Sequence, residues 1–273
     1  MKDTFKKIIK KNLPAPVIEL LFRKKVGITR IPSRKSVISD LFINRIENDW
    51  ETHFEFLKTN HILSPEGNNV FNNEATIFFF TGKGEFNGSK EIDSLTYMKN
   101  TLNISSIAKS LGIFHDGLFA IFHHKAPDWY EKYNSFLAER GYIGYSNLHK
   151  GNLKSFVHGN MDSIALDENK NQFLLGETSF LKKEYHLQHL MEHNKLYELF
   201  IVNNSKKTQQ VSFFEKNEKS NREIKLIIPP GGFDKFIKSK SNEDSKIIVK
   251  SKLPLARPIV FKHMESSFDV FHG

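Results

Sequence analysis

A chain of 273 residues and 31.7 kDa, 39% hydrophobic and 26% charged, has the composition of a globular protein with room for one large or two moderate domains. The absence of cysteine excludes disulfide frameworks, thiolate zinc sites, iron–sulfur clusters and cysteine nucleophiles. The formal charge of +9 resides in residues 1–35, where eleven Lys and Arg face two acids, and the rest of the chain is balanced at 29 of each sign.

This first segment reads as a basic amphipathic arm. At helical spacing Phe5, Ile8, Ile9 and Leu13 share one face, and Lys6, Lys7, Lys10 and Lys11 take the other. Pro14 and Pro16 divide it from a second apolar and basic stretch, residues 17–25. Such a helix can lie on an anionic membrane surface or pack its apolar face on the body. The short apolar stretch, the prolines and the following basic residues do not fit a secretory signal. The expected location is therefore cytoplasmic, peripheral on the inner membrane. Without interleaved aromatics or a reading motif, the arm is not expected to bind nucleic acid.

Beyond the arm the punctuation favours strands. Val37–Ile43 reads as one strand, and Thr76–Phe80 as another running into the Gly82-Lys83-Gly84 turn. Asp116-Gly117 marks a turn before the apolar run Leu118–Phe122. A helix is expected near 127–140, opened by Pro127 and closed by Gly141, with Trp129, Tyr133, Phe136 and Leu137 on its buried face. Strands are read at 155–158 and 163–166, and the last 80 residues are strand-rich, ending in the alternating Phe268-Asp269-Val270-Phe271-His272.

The expected fold is mainly β: two immunoglobulin-like β-sandwich domains, residues 36–175 with an inserted helix and residues 176–273, behind the arm of residues 1–35. A mixed α/β first domain built around the 127–140 helix is the alternative. The C-terminal stretch resembles generic bacterial sandwich domains, which implies no function. An internal duplication is suggested by four matches in the same order. Phe54–Leu57 matches Tyr197–Phe200, and Ile77–Phe79 matches Ser212–Phe214. Leu102–Ile104 matches Ile224–Leu226, and Leu118–Ile121 matches Ile247–Lys250.

No phosphate loop, nucleophile elbow, zinc-protease pair or dinucleotide glycine pattern occurs, and no cofactor is expected. His186, His189 and His193 would share a face only on a helix; on a strand the first points away from the others, so no metal site is expected beyond this weak alternative. A glycine between polar residues marks Val157-His158-Gly159-Asn160, so His158, Asn160 and Asp162 are candidate ligand-binding residues. Tyr145 and His124 join them, with Arg257, which stands alone in an apolar stretch and could bind an anion or clamp the domains.

The expectation is a non-catalytic binding or assembly module with a glycan or protein partner. Its N-terminus resembles those of cytoplasmic enzymes acting on membrane-attached glycans. The competing expectation is an enzyme of surface-polysaccharide metabolism using histidine acid/base chemistry centred on His158 at the domain junction. Convergence of His158, Asp116, His123 or His124, and Arg257 on one cleft would favour the enzyme, and their dispersal the module.

Overall fold

The computed structural model describes Val17 and residues 36–57, 75–93, 95, 99–123, 141–151, 154–158, 164–253 and 257–273. The arm lysines Lys6, Lys7, Lys10 and Lys11 and the helix read at 127–140 lie outside the described residues.

The fold is mainly β and antiparallel. The first half contains β1 (Val37–Ser39), β2 (Phe42–Asn44), β3 (Trp50–Leu57), β4 (Ala75–Thr81), β5 (Phe86–Ile92), β6 (Lys99–Asn103), the short helix α1 (Ile104–Ser110), β7 (Gly117–His123), β8 (Gly141–Asn147), β9 (Ser155–His158), β10 (Ile164–Leu166) and β11 (Gln172–Leu174). The second contains β12 (Lys183–His186), β13 (Leu196–Val202), β14 (Gln209–Lys216), β15 (Asn221–Ile228), β16 (Phe233–Lys238), β17 (Lys246–Ser251), β18 (Ile259–His263) and β19 (Phe268–His272).

The first half builds the sheets β2-β7-β4-β5 and β6-β3-β8-β9; the second builds β12-β17-β14-β15 and β16-β13-β18-β19. The strand order is the same, strand for strand. Three of the four sequence matches fall on strands in equal positions: β3 with β13, β4 with β14 and β7 with β17. The fourth does not, because Leu102 and Asn103 end β6, with Ile104 opening α1, whereas Ile224–Leu226 lies in β15, and β6 and β15 hold different positions in their sheets. The order also departs from an immunoglobulin constant-type domain, whose first two strands are neighbours. Here the first strand of each set, β2 or β12, lies beside its sixth, β7 or β17.

Alternation explains the layers. On β3, Trp50, Thr52, Phe54 and Phe56 point inward, while Glu51, His53 and Glu55 point out. Phe42, Phe54 and Phe119 lock the two sheets of the first half together, with ring centroids 4.8–5.7 Å apart. In the second half Phe213 stacks on Phe236 at 5.1 Å, one ring from each sheet. Each such buried ring contributes about 1.5–3 kcal/mol through loss of contact with water.

The single strand expected at Val37–Ile43 is broken. Asp40 and Leu41 interrupt it, and β1 leaves its sheet to form a third, β1-β10-β11. Ser39 holds the bend by accepting the Ile121 N–H on its Oγ at 3.0 Å. No parallel sheet occurs among the described strands, so the α/β alternative for the first half is not what they form.

Candidate functional site

Three regions place the chemistry-bearing side chains: a buried charge cluster between the halves, a seam where two edge strands meet, and an open sheet face.

The charge cluster is built on the turn after β2. Asn48 and Asp49 take positive φ (53° and 61°), and the Asp116 carboxylate accepts the Ile46 and Glu47 N–H groups at 2.8 and 3.0 Å. The Thr52 hydroxyl accepts the Arg45 N–H and donates to the Arg45 carbonyl. This pinned turn thrusts Arg45 into the second half. There its guanidinium meets Glu198 at 2.7 Å and lies 4.2 Å from the Trp50 ring centre, 4.6 Å from Phe261 and 5.1 Å from Phe200. Glu198 also receives Lys235 at 2.6 Å and His263 at 3.0 Å. Burial alone would raise the Glu198 carboxyl's pKa. The His263 hydrogen bond and the charges of Arg45 and Lys235 outweigh it and hold the group well below the usual range.

Tyr145 belongs to this interface, not to a pocket. It is fully buried, packs edge-on against Phe261 at 4.8 Å, and donates its hydroxyl to the Ile43 carbonyl at 2.9 Å. Burial pushes its phenol well up. Arg257 is exposed, so the arginine that clamps the halves is Arg45. Sequence reasoning missed it because Arg45 sits in an unremarkable turn. The available signal was its partner: Glu198 is a lone carboxylate inside the apolar run Leu196–Val202, and such a charge needs a counterion.

A second contact joins the halves at their hairpins. The Phe233 N–H donates to the Gly82 carbonyl at 2.9 Å. Gly84, at φ +81°, approaches the 230–232 turn so closely that a Cβ there would lie 2.3 Å from the Pro230 oxygen.

The seam lies where β9 and β19, each the edge of its sheet, come together. The Val270 N–H donates to Ser155 Oγ at 3.0 Å, and His272 donates from Nε2 to the His158 carbonyl at 2.8 Å. Burial, with the nearby charges of Arg257 and His158, lowers the His272 pKa. Two candidate residues, His158 and Arg257, are thus brought to one seam between the halves. Asn160, Asp162 and His124 lie outside the described residues. Asp116 is elsewhere, beside Arg45.

The open face is the outer side of β6-β3-β8-β9. Register places Glu55 beside Tyr142 and Thr101, and His53 beside Gly144. It likewise sets Tyr142 beside His158 and Gly144 beside Phe156. The Phe156 ring lies over Gly144, where a Cβ would be 2.5 Å from it, and the Tyr142 and His158 rings are 4.2 Å apart. Lys99 pairs with Glu55 at 2.8 Å. Burial and the Lys154 charge lower the His53 pKa.

The three histidines considered for a metal do not converge. His186 is on strand β12, His189 packs on Phe271 at 4.4 Å, and His193 bonds Asp244 at 2.8 Å. Among the described residues no three His, Asp or Glu side chains are arranged to hold a metal ion. Nor is any described helix long and apolar enough to cross a membrane.

No family model and no curated protein matches this chain. Among solved structures it matches a calcium-binding mutant of β-glucuronidase 2 from Bacteroides uniformis, at 11% identity and a TM-score of 0.17. The match covers 85% of this chain and 25% of that one, so this chain spans about a quarter of its length.

Proposed function

We propose that the chain is a non-catalytic binding and assembly module, formed from two copies of one duplicated sandwich unit, whose docking surface is the outer face of β6-β3-β8-β9. One observation carries this reading. The equivalent face in the second half, on β16-β13-β18-β19, is buried against a neighbouring sandwich, whereas in the first half it presents half-exposed aromatic rings. The common strand order and the three matches in equal positions support the duplication.

The dispersal of Asp116 from His158 and Arg257 favours a module over an acid/base enzyme of polysaccharide metabolism. A glycan ligand is the second reading, favoured by the Tyr142 ring beside His158 and by the carboxylates of Glu51 and Glu55. The arm, with Lys6, Lys7, Lys10 and Lys11, belongs to the same proposal as a peripheral attachment to the inner membrane from the cytoplasm.

The test compares the intact chain with a Tyr142→Ala/Phe156→Ser variant for retention on immobilised bacterial surface polysaccharide and for self-association. Loss of an interaction with thermal unfolding preserved supports the proposal. Interactions untouched by the substitutions, or turnover of the polysaccharide by the wild type, would overturn it. Cosedimentation with anionic vesicles, lost on changing the four lysines to Gln, tests the attachment.

A further inference from the structure

The two equivalent faces can be compared position by position. Cross-strand register sets Glu55 in the place of Glu198, Tyr142 in that of Phe261, Phe156 in that of Phe268 and Gly144 in that of His263. Lys99 stands in the place of Lys235, and the ion pair is repeated: 2.8 Å for Lys99–Glu55 against 2.6 Å for Lys235–Glu198. The aromatic positions differ in their surroundings. Phe261 and Phe268 are 0% and 8% exposed, whereas Tyr142 and Phe156 are 48% and 39% exposed.

We propose that this face joins two copies of the chain through a two-fold interface. The inference rests on the reading of the face as a docking surface and names its occupant. The equivalent face in the second half seats a unit of the same strand order, meeting its Arg45, Trp50 and Tyr145, so a second sandwich unit is the kind of occupant that a face of this strand order takes in this chain. Charge gives the second argument. Glu55 is paired with Lys99 inside the chain and Glu51 is balanced by Lys154, so the face carries no net charge and can meet its own copy without overall repulsion.

The arrangement of the rows selects the axis. Across the sheet the order is β6, β3, β8, β9, with acids on β3, Tyr142 on β8 and Phe156 on β9; Lys154 immediately precedes β9. A two-fold axis perpendicular to the strands would lay β3 over the partner's β3, acid against acid. An axis along the strands instead lays β8 over the partner's β3 and β9 over the partner's β6. This sets Lys154 near the level of the partner's Glu51, with the aromatic rings between.

Sedimentation velocity on the full chain, from low to high micromolar, tests the proposal. The expected result is a concentration-dependent dimer that Tyr142→Ala or Lys154→Glu weakens by about tenfold or more. Combining Lys154→Glu with Glu51→Lys restores it, because the opposed charges are exchanged. Lys219→Glu, remote from this face, leaves it unchanged. A chain monomeric throughout the range, or a dimer indifferent to both single substitutions, would overturn the inference. A monomer that still loses polysaccharide retention on Tyr142→Ala overturns only the two-fold interface. One that binds nothing through the face removes the docking reading as well.

Discussion

The sheets β6-β3-β8-β9 and β16-β13-β18-β19 share strand order and a Glu–Lys pair, yet one outer face is open and the other forms an interior. Few side chains separate these fates. Phe261, Phe268 and Val270 in the second half stand where the first has Tyr142, Phe156 and His158, and His263 replaces Gly144. The carboxylate is retained and its environment changes. Glu198 is enclosed with three cationic or donor partners, including an arginine from the other half, while Glu55 has one lysine and the Thr101 hydroxyl. A surface ion pair becomes an interface anchor when apolar neighbours exclude solvent and a further counterion arrives with the partner.

The largest expected effect tests that contrast directly. Arg45→Ala removes one of the three partners of Glu198, leaving Lys235 and His263, and is expected to cost about 1.5–3 kcal/mol for the charged hydrogen bond, with the lost ring contacts in addition. Glu55→Ala, at the equivalent exposed pair, costs about 0.2–1 kcal/mol. Equal losses in chemical denaturation would break the comparison. Next, Gly144→Ala forces the Phe156 ring off the open face and costs about 1–3 kcal/mol, measured the same way and by the ring's altered NMR shifts.

Acid titration sharpens the contrast further. The folded Glu198 carboxyl is held below its unfolded value, so the cluster contributes stability above about pH 4.3 that is lost as pH falls below it. Glu198→Gln lowers stability at neutral pH and flattens the acid limb; an unchanged slope would contradict this assignment. The smallest effect comes from His53 and His272, whose folded pKa values are lowered. The unfolded chain takes up protons that the folded chain refuses, so stability falls as pH drops through about 6.5. His53→Gln with His272→Gln is expected to reduce this loss in thermal melts at pH 7 and 5.5.

Much of the layering was legible in the sequence because two-residue alternation records which side of a strand meets the core. Phe54-Glu55-Phe56 and Tyr197-Glu198-Leu199 show it in both halves, and the final strand at 268–272 was read at its place. Strand order was not legible, since alternation carries no information about neighbours. At that level the strand order gives the immunoglobulin-like expectation no support, while the β-sandwich expectation is met. β8 was overlooked because Gly141-Tyr142-Ile143-Gly144 contains two glycines, and Gly144 is there for the ring above it. His158 and Arg257 come together at the seam, whereas Tyr145, grouped with His158 by its place in the sequence, is a core ring. Aromatic content alone does not distinguish a site ring from a core ring.

The segment between β11 and β12 is not what keeps the halves together. Its backbone is fastened to the second half, Gly176 N–H to the Asn204 carbonyl at 2.9 Å and Ser179 N–H to the Lys252 carbonyl at 2.7 Å. The halves meet separately through the Arg45 cluster, the 82–84 hairpin and the β9–β19 seam. The Lys150 ammonium adds a further contact, on the Met264 and Glu265 carbonyls, and contacts at several places resist bending about any one of them, so the halves are expected to move as one body. A protease nick at Phe180-Leu181, both side chains outward, would leave two fragments that still migrate as one particle.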